Sequence, residues 1–271
     1  MKITQLLISA LMISGLSVLQ SCNNPVTQKN TTGSSTHDHF LEAPAQEPNT
    51  LSDQEKTEGW VLLFDGQTIK EWRGFHKDTF PGNRWDITNT SLHCIGVKTD
   101  DHIISEDIIS KKKYKNFELS VEWKIDRGGV SGIYFLAVEN SDDLALWKSA
   151  LKMQLTDNEN NDSDRGKNGE RKSGSLFDIL PPEVQNTKIP GEWNQVRIIV
   201  SEGRVEFFQN SEKIMEFELW NDDWEKLINK SKYKTFTNIL NIGGTDKDGY
   251  IGFQDCKKDI WFRNIKIRSM E

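Results

Sequence analysis

Apolar and polar residues alternate at period two in several short stretches of this chain. The clearest is 117–125, where Phe117, Leu119, Val121, Trp123 and Ile125 alternate with Glu118, Ser120, Glu122 and Lys124. That is the pattern of a half-buried strand. Asp126-Arg127-Gly128-Gly129 then supplies a turn into a second apolar run over 130–138. Runs at 193–200 and 204–210 are separated by Ser201-Glu202-Gly203, and a polar turn at 210–213 leads into 214–219. Near the end, runs at 250–254 and 260–268 flank a polar turn at 255–259. Upstream, 59–66 reads as a buried strand entering an Asp-Gly turn, and 85–95 carries Trp85, Ile87 and Leu92 between Asn, Thr and Ser breaks. Met153 and Leu155 bracket Gln154 on a further strand. One short helix is predicted near 221–230, where a capping Asn221 or Asp222 precedes Trp224, Leu227 and Ile228 on one side. Many short strands, Gly-rich turns and a single helix predict an all-β, antiparallel β-sandwich. No internal repeat is evident.

The amino terminus has a different character. Lys2 precedes an apolar run over 3–19 that ends at Leu19-Gln20-Ser21-Cys22. This is the layout of a secretory signal peptide, too short for a membrane span. Cysteine directly after Leu-x-Ser resembles a bacterial lipobox, so residues 1–21 are expected to be removed and Cys22 lipidated. Residues 22–57, rich in Asn, Thr, Ser, Pro and Gln, read as a flexible tether to a domain spanning 58–271. His37 and His39 fall in that tether as solvated linker residues. The expected location is the cell envelope, anchored to a membrane by lipid and facing the periplasm or the exterior.

Charge and cysteine content narrow the function classes. The formal net charge is −7, and Lys111–Lys113 is a short basic run rather than a basic face. Nucleic acid is therefore not an expected partner. Beyond Cys22 the chain holds Cys94 and Cys256, which an exported location permits to pair; spacing alone does not show that they do. The long polar segment 157–175 offers Asp157, Glu159, Asn161 and Asp164 as spaced oxygen ligands. An EF-hand needs glycine at the sixth position and Glu at the twelfth, where Asp162 and Asn168 stand. No metal or other cofactor is expected, and calcium is the cation those oxygens would suit.

A set of landmarks recurs in fixed order along 59–268: Gly59-Trp60-Val61-Leu62-Leu63-Phe64-Asp65-Gly66, Trp72, the strand at 117–123, Gly129-Val130-Ser131-Gly132-Ile133-Tyr134-Phe135, Met153-Gln154 with Asp157-Asn158, Gly174-Ser175-Leu176-Phe177-Asp178 before Pro181-Pro182, Gly191-Glu192-Trp193-Asn194, Ser231-Lys232-Tyr233, and the corner Gln254-Asp255-Cys256. Together they resemble the 3-keto-disaccharide hydrolase domain, a jelly-roll, concanavalin A-like sandwich family. The resemblance implies an exported carbohydrate-active hydrolase that acts on 3-keto-glycosides and takes a saccharide or glycoside as its partner. A ketone at C3 acidifies the C2 proton, so the C1 substituent leaves by elimination and water then adds. That route needs a base, an acid and donors to the enolate oxygen.

The resemblance also points to residues. Glu122, Asp157 and Lys152 are candidate catalytic groups, a lysine serving as base if burial lowers its pKa. Gln154, Ser131, Trp147 and Asp255 are candidate substrate-binding groups, and Asp178 is a further candidate acid or base. Ordinary roles stand beside each: Glu122 on an outer, solvated face, Gln154 bonded within the sheet, Asp157 and Asp255 capping turns, and Trp147 packed in a core. Departures from the family pattern cluster at candidate groove positions. Val130 replaces an Asn, Leu136 an Arg, Lys152 a Glu, Phe177 a Tyr and Cys256 a His. These exchanges favour an alternative reading, a non-catalytic glycan-binding lipoprotein with a diverged groove.

Overall fold

The structure is a computed structural model that describes residues 46–97, 105–139, 145–160 and 168–270. The leader, Cys22, His37, His39, Asn161, Asp162 and Asp164 lie outside the described residues. Among the described residues no helix is long and apolar enough to cross a membrane.

Among the described residues, thirteen strands form two antiparallel sheets: β1 (Val61–Leu62), β2 (Trp72–Gly74), β3 (Trp85–Thr88), β4 (Ser91–Cys94), β5 (Ile108–Tyr114), β6 (Phe117–Ile125), β7 (Val130–Ala137), β8 (Leu151–Thr156), β9 (Asn194–Ser201), β10 (Arg204–Gln209), β11 (Glu212–Glu218), β12 (Gly249–Phe253) and β13 (Ile260–Ser269). The larger sheet runs β11-β10-β9-β6-β13-β4-β3, with β1 also paired to β13, and the smaller runs β2-β5-β12-β7-β8. The strand predicted over 117–125 is β6, which is hydrogen-bonded to β9 and β13. The long stretch at 59–66 yields only the two-residue β1, and 85–95 is a hairpin of two strands.

Alternation decides what each strand buries. Leu119, Val121 and Trp123 of β6 face Ile133 and Phe135 of β7, Met153 and Leu155 of β8 and Phe253 of β12 in one apolar core between the sheets. Phe253 and Phe262 stack there with ring centroids 4.2 Å apart. The predicted helix is α2 (Asp222–Lys230), its amino end capped by the Asn221 side chain accepting from the Trp224 amide at 2.8 Å. Two shorter helices accompany it, α1 (Asp53–Thr57) and α3 (Thr237–Leu240).

Two features go beyond the sequence reading. The first is the start of the domain. Residues 46–57 are packed, not free: Asn49 is buried, its amide donates to Asn264 Oδ1 and the Asn264 amide donates back to Asn49 Oδ1 at 2.8 Å. A capping box of Ser52 and Glu55 opens α1, and Glu55 also pairs with Lys266 of β13. The domain therefore begins before Glu58, because this segment covers the outer face of the larger sheet. The second is a disulfide between Cys94 of β4 and Cys256, whose Cα atoms are 6.2 Å apart.

Candidate active site

The smaller sheet has one face in the core and one turned away from it. On β8, Leu151, Met153 and Leu155 enter the core, so Lys152, Gln154 and Thr156 take the opposite face by simple alternation. Tyr134 of β7, Ile109 of β5 and Tyr250 of β12 belong to a separate apolar cluster on that second side. Lys152 lies opposite Tyr134 in register, and Gln154 lies opposite Gly132. The segment at 174–177 lies along the free edge of β8, where the Phe177 amide donates to the Lys152 carbonyl at 3.0 Å and the Gly174 amide donates to the Gln154 carbonyl at 2.8 Å. This places the Phe177 ring against Lys152, with Nζ 3.5 Å from the ring centroid.

Lys152 is 5% exposed, and its ammonium donates to Gln254 Oε1 at 2.9 Å. Gly132 makes room for its stem. A Cβ on Gly132 would sit 2.6 Å from Lys152 Cδ and 2.7 Å from Cγ. Burial, followed by the nearby charge of Lys232, pushes the Lys152 pKa down to about 7, while Asp107 and Asp178 oppose the shift. Lys232 itself lies 4.2 Å over the Phe177 ring and 4.8 Å over Trp147. Asp178 pairs with Arg171 through one oxygen and with Lys232 through the other. Its charge is thus held by two other cations, and the hydrogen bond of Lys152 goes to a neutral amide.

A second ionisable group interacts electrostatically with this amine. Asp107, just ahead of β5, is 3% exposed, and its Oδ1 accepts from the Asp255 amide at 2.9 Å. Burial first, then the charge of Asp255, raises the Asp107 pKa to about 7. Burial also raises that of Asp255, although the Glu106 amide donates to its Oδ2 at 3.1 Å and Arg84 lies 3.7 Å from the same oxygen. Residues 254–256 therefore tie the cluster together: Gln254 holds the amine, Asp255 adjoins the carboxyl of Asp107, and Cys256 is fixed by the disulfide. Arg84 adds a further hold, donating to the Cys256 carbonyl at 2.6 Å.

The candidates read from sequence divide on this geometry. Lys152, Gln154, Trp147, Asp178 and Asp255 are brought to this side of the smaller sheet. Trp147 is half-buried on a 3-10 turn, edge-on to Phe236 at 5.4 Å and beneath Lys232. Gln154 is buried, and among the described residues its Oε1 has no hydrogen-bond partner. Glu122 is not brought there. It lies on the outer face of the larger sheet, where Oε2 accepts from Arg263 Nε at 2.7 Å and Oε1 from Asn264 Nδ2 at 2.8 Å. The reason is alternation itself, since Leu119, Val121 and Trp123 claim the core face of β6 and leave Glu122 the opposite one. Asp157 closes a turn: its carboxylate accepts from the amides of Gly128, Glu159 and Asn160. Ser131 is fully buried and donates to the Gln254 carbonyl at 2.6 Å, so it supports the corner from behind. Sequence reasoning missed Asp107 and the pairing role of Lys232. The signal for Asp107 was an acidic residue directly before Ile108-Ile109, where a strand with one face in the core begins.

An antiparallel sandwich that carries, on the free face of one sheet, a buried amine, a buried carboxyl pair, side-chain amides and flanking aromatic rings has the equipment of an acid–base enzyme. The chain belongs to the 3-keto-alpha-glucoside-1,2-lyase-like domain family, which it matches over residues 59–268. It is 36% identical over 244 residues to a 3-keto-disaccharide hydrolase of Bacteroides thetaiotaomicron, covering 84% of each chain. Among solved structures it resembles two proteins of Parabacteroides distasonis, each described as a putative glycosyl hydrolase. The first has 29% identity and a TM-score of 0.73, covering 83% of this chain and all of that one. The second has 25% identity and a TM-score of 0.60, covering 78% of this chain and 99% of that one.

Proposed function

We propose that this protein is a hydrolase of 3-keto-glycosides, cleaving the bond at C1 by elimination and hydration. The observation that carries this reading is the pairing of two ionisable groups of opposite kind on one sheet face, Lys152 and Asp107, both held near neutrality. A step that removes a proton from C2 and delivers one to the departing oxygen needs groups that exchange protons at working pH. Lys152 and the Asp107–Asp255 pair supply the basic and acidic members. Gln154, with its unpartnered Oε1, suits a sugar hydroxyl, because an amide both donates and accepts. Trp147 and Phe177 offer apolar ring surface against Lys232 and Lys152 on the same side of the sheet. The carboxylates that a direct glycosidase needs on both sides of C1 are less well served: Glu122 is engaged on the other sheet, and Asp178 is held by two cations.

Export and lipid anchoring through Cys22 are part of the same proposal. The Cys94–Cys256 disulfide supports an oxidising compartment. Replacing Cys22 with Ala should move the protein from the membrane fraction to the soluble fraction. For the activity, purified protein should release aglycone from a 3-keto-glucoside and leave the unoxidised glucoside intact. Inertness toward 3-keto-glucosides, with sugar binding retained by calorimetry, would replace this reading with a glycan-binding one.

A further inference from the structure

The ketone that acidifies C2 is also an electrophile, and the cluster holds an amine placed to meet one. We propose that Lys152 acts as a covalent catalyst, condensing with the C3 ketone of the substrate to form an iminium. This deepens the proposed function and rests on it, assigning the amine to C3 and the proton traffic at C2 to the carboxyl pair.

The geometry favours a nucleophilic role. The Lys152 stem is threaded through the gap at Gly132, and its amine is aimed by Gln254 Oε1 at 2.9 Å. Among the described residues the amine has no ion pair with a carboxylate; Asp178 is held by Arg171 and Lys232, Asp107 accepts from the Asp255 amide, and Arg84 lies beside Asp255. Phe177 covers the amine from one side. A desolvated lysine beside a second cation is the standard way to keep such an amine uncharged and nucleophilic, and Lys232 provides that cation. The other ionisable groups facing the site are Asp107, Asp255, Tyr134 and Tyr233. Burial raises both carboxyls, Asp107 to about 7, so Asp107 can accept the C2 proton and return it to the leaving oxygen.

The steps balance without any outside oxidant or reductant. The neutral amine adds to C3, and loss of one water gives the iminium. A carboxylate removes the C2 proton, leaving an enamine. The enamine expels the C1 oxygen, which takes the bonding pair and a proton and departs as the alcohol. Water adds at C1 of the conjugated iminium, C2 is reprotonated, and a second water hydrolyses the C3–N bond to restore the ketone and the free amine. Net, one water is consumed per glycosidic bond. An iminium is a stronger electron sink than the ketone it replaces, which is the gain over simple base catalysis.

The test is trapping. Full-length protein is incubated with a 3-keto-glucoside and sodium cyanoborohydride, and residual activity and intact mass are followed. Loss of most activity only when sugar and hydride are both present, with a sugar-sized mass increment mapped to the peptide bearing Lys152, is the expected result. Lys152→Met should take up no sugar, and Lys232→Met should move half-maximal trapping upward by about one pH unit, since the assisting charge is gone. If wild-type protein cleaves the 3-keto-glucoside but keeps its activity and mass under hydride, or the increment maps to another lysine, the covalent role is wrong and the proposed function survives. If no 3-keto-glucoside is cleaved, the proposed function fails and takes this inference with it.

Discussion

Replacing Lys152 with Met tests the buried amine without relying on any assay of turnover. Methionine keeps most of the length of the stem and removes the charge. The Lys152 pKa falls from an ordinary 10.5 to about 7 on folding. At 1.36 kcal/mol per unit, the native state carries a penalty of roughly 5 kcal/mol for this group at low pH. The sign follows from proton binding. Between about pH 7 and 10.5 the unfolded chain binds the proton and the native protein does not, so native stability rises with pH across that window. The penalty is complete below pH 7 and fades above it. Asp107 has the opposite shift: its cost grows from its unfolded value of 3.8 up to about 7 and is nearly flat beyond. Loss of the lysine also removes an attraction on Asp107, which adds in the same direction. Urea unfolding followed by tryptophan fluorescence at pH 7 and pH 9 should therefore show the Met variant's stability advantage shrinking by about 2–3 kcal/mol. Parallel stabilities at the two pH values would mean that Lys152 is charged in the native protein, and would refute both the amine's state and the mechanisms built on it.

Three other perturbations separate structure from chemistry. Changing both Cys94 and Cys256 to Ser removes a crosslink closing a sequence separation of 162, for which chain entropy sets about 5 kcal/mol; a loss of roughly 2–5 kcal/mol is expected in urea unfolding, and an unchanged midpoint would contradict it. Glu122→Gln should leave turnover of a 3-keto-glucoside within about two-fold of wild type, since it disturbs only the Arg263 and Asn264 contacts on the other sheet; abolished turnover would place Glu122 in the mechanism after all. Asn49→Ala strips the side-chain hydrogen bonds from the Asn264 amide and to the Thr90 carbonyl and should cost about 1–3 kcal/mol, read as a lower thermal midpoint; no change would show that these bonds do not stabilise the domain.

The fold was largely legible because period-two alternation is a local property. Strand β6 stands where 117–125 alternates, and α2 stands behind its Asn221 cap. The face each strand presents was not legible in the same way. Alternation says that Glu122 and Val121 point to opposite sides, but only the partner sheet decides which side is core. For β8 the choice was easier, since Leu151, Met153 and Leu155 leave Lys152 and Gln154 one remaining face. Asp107 was invisible for a different reason. Its meaning arises from Asp255, 148 residues away, and no local pattern encodes that proximity. The packing of residues 46–57 was hidden likewise, as polar composition reads as linker even where Asn49 and Glu55 find partners on β13.

The departures from the family pattern look like scattered losses when taken singly, and the structure connects them. Cys256, which the sequence resemblance reads as replacing a His, is one half of a disulfide to β4, and the corner it anchors positions Gln254 and Asp255. Lys152 reverses a charge, yet its amine meets Gln254 from that corner, and Gly132 leaves the room its stem requires. Leu136, which the sequence resemblance reads as replacing an Arg, is fully buried in the main core and contributes packing. A decaying site would leave a buried lysine unsupported, and an unsupported buried ammonium is among the costlier defects a fold can hold. Here the lysine has a hydrogen-bond acceptor, the space that Gly132 leaves for its stem, and a neighbouring cation that favours its neutral form. Under the proposed function, the supported amine at position 152 is an amine placed to handle the C3 ketone rather than the remnant of a lost catalytic group.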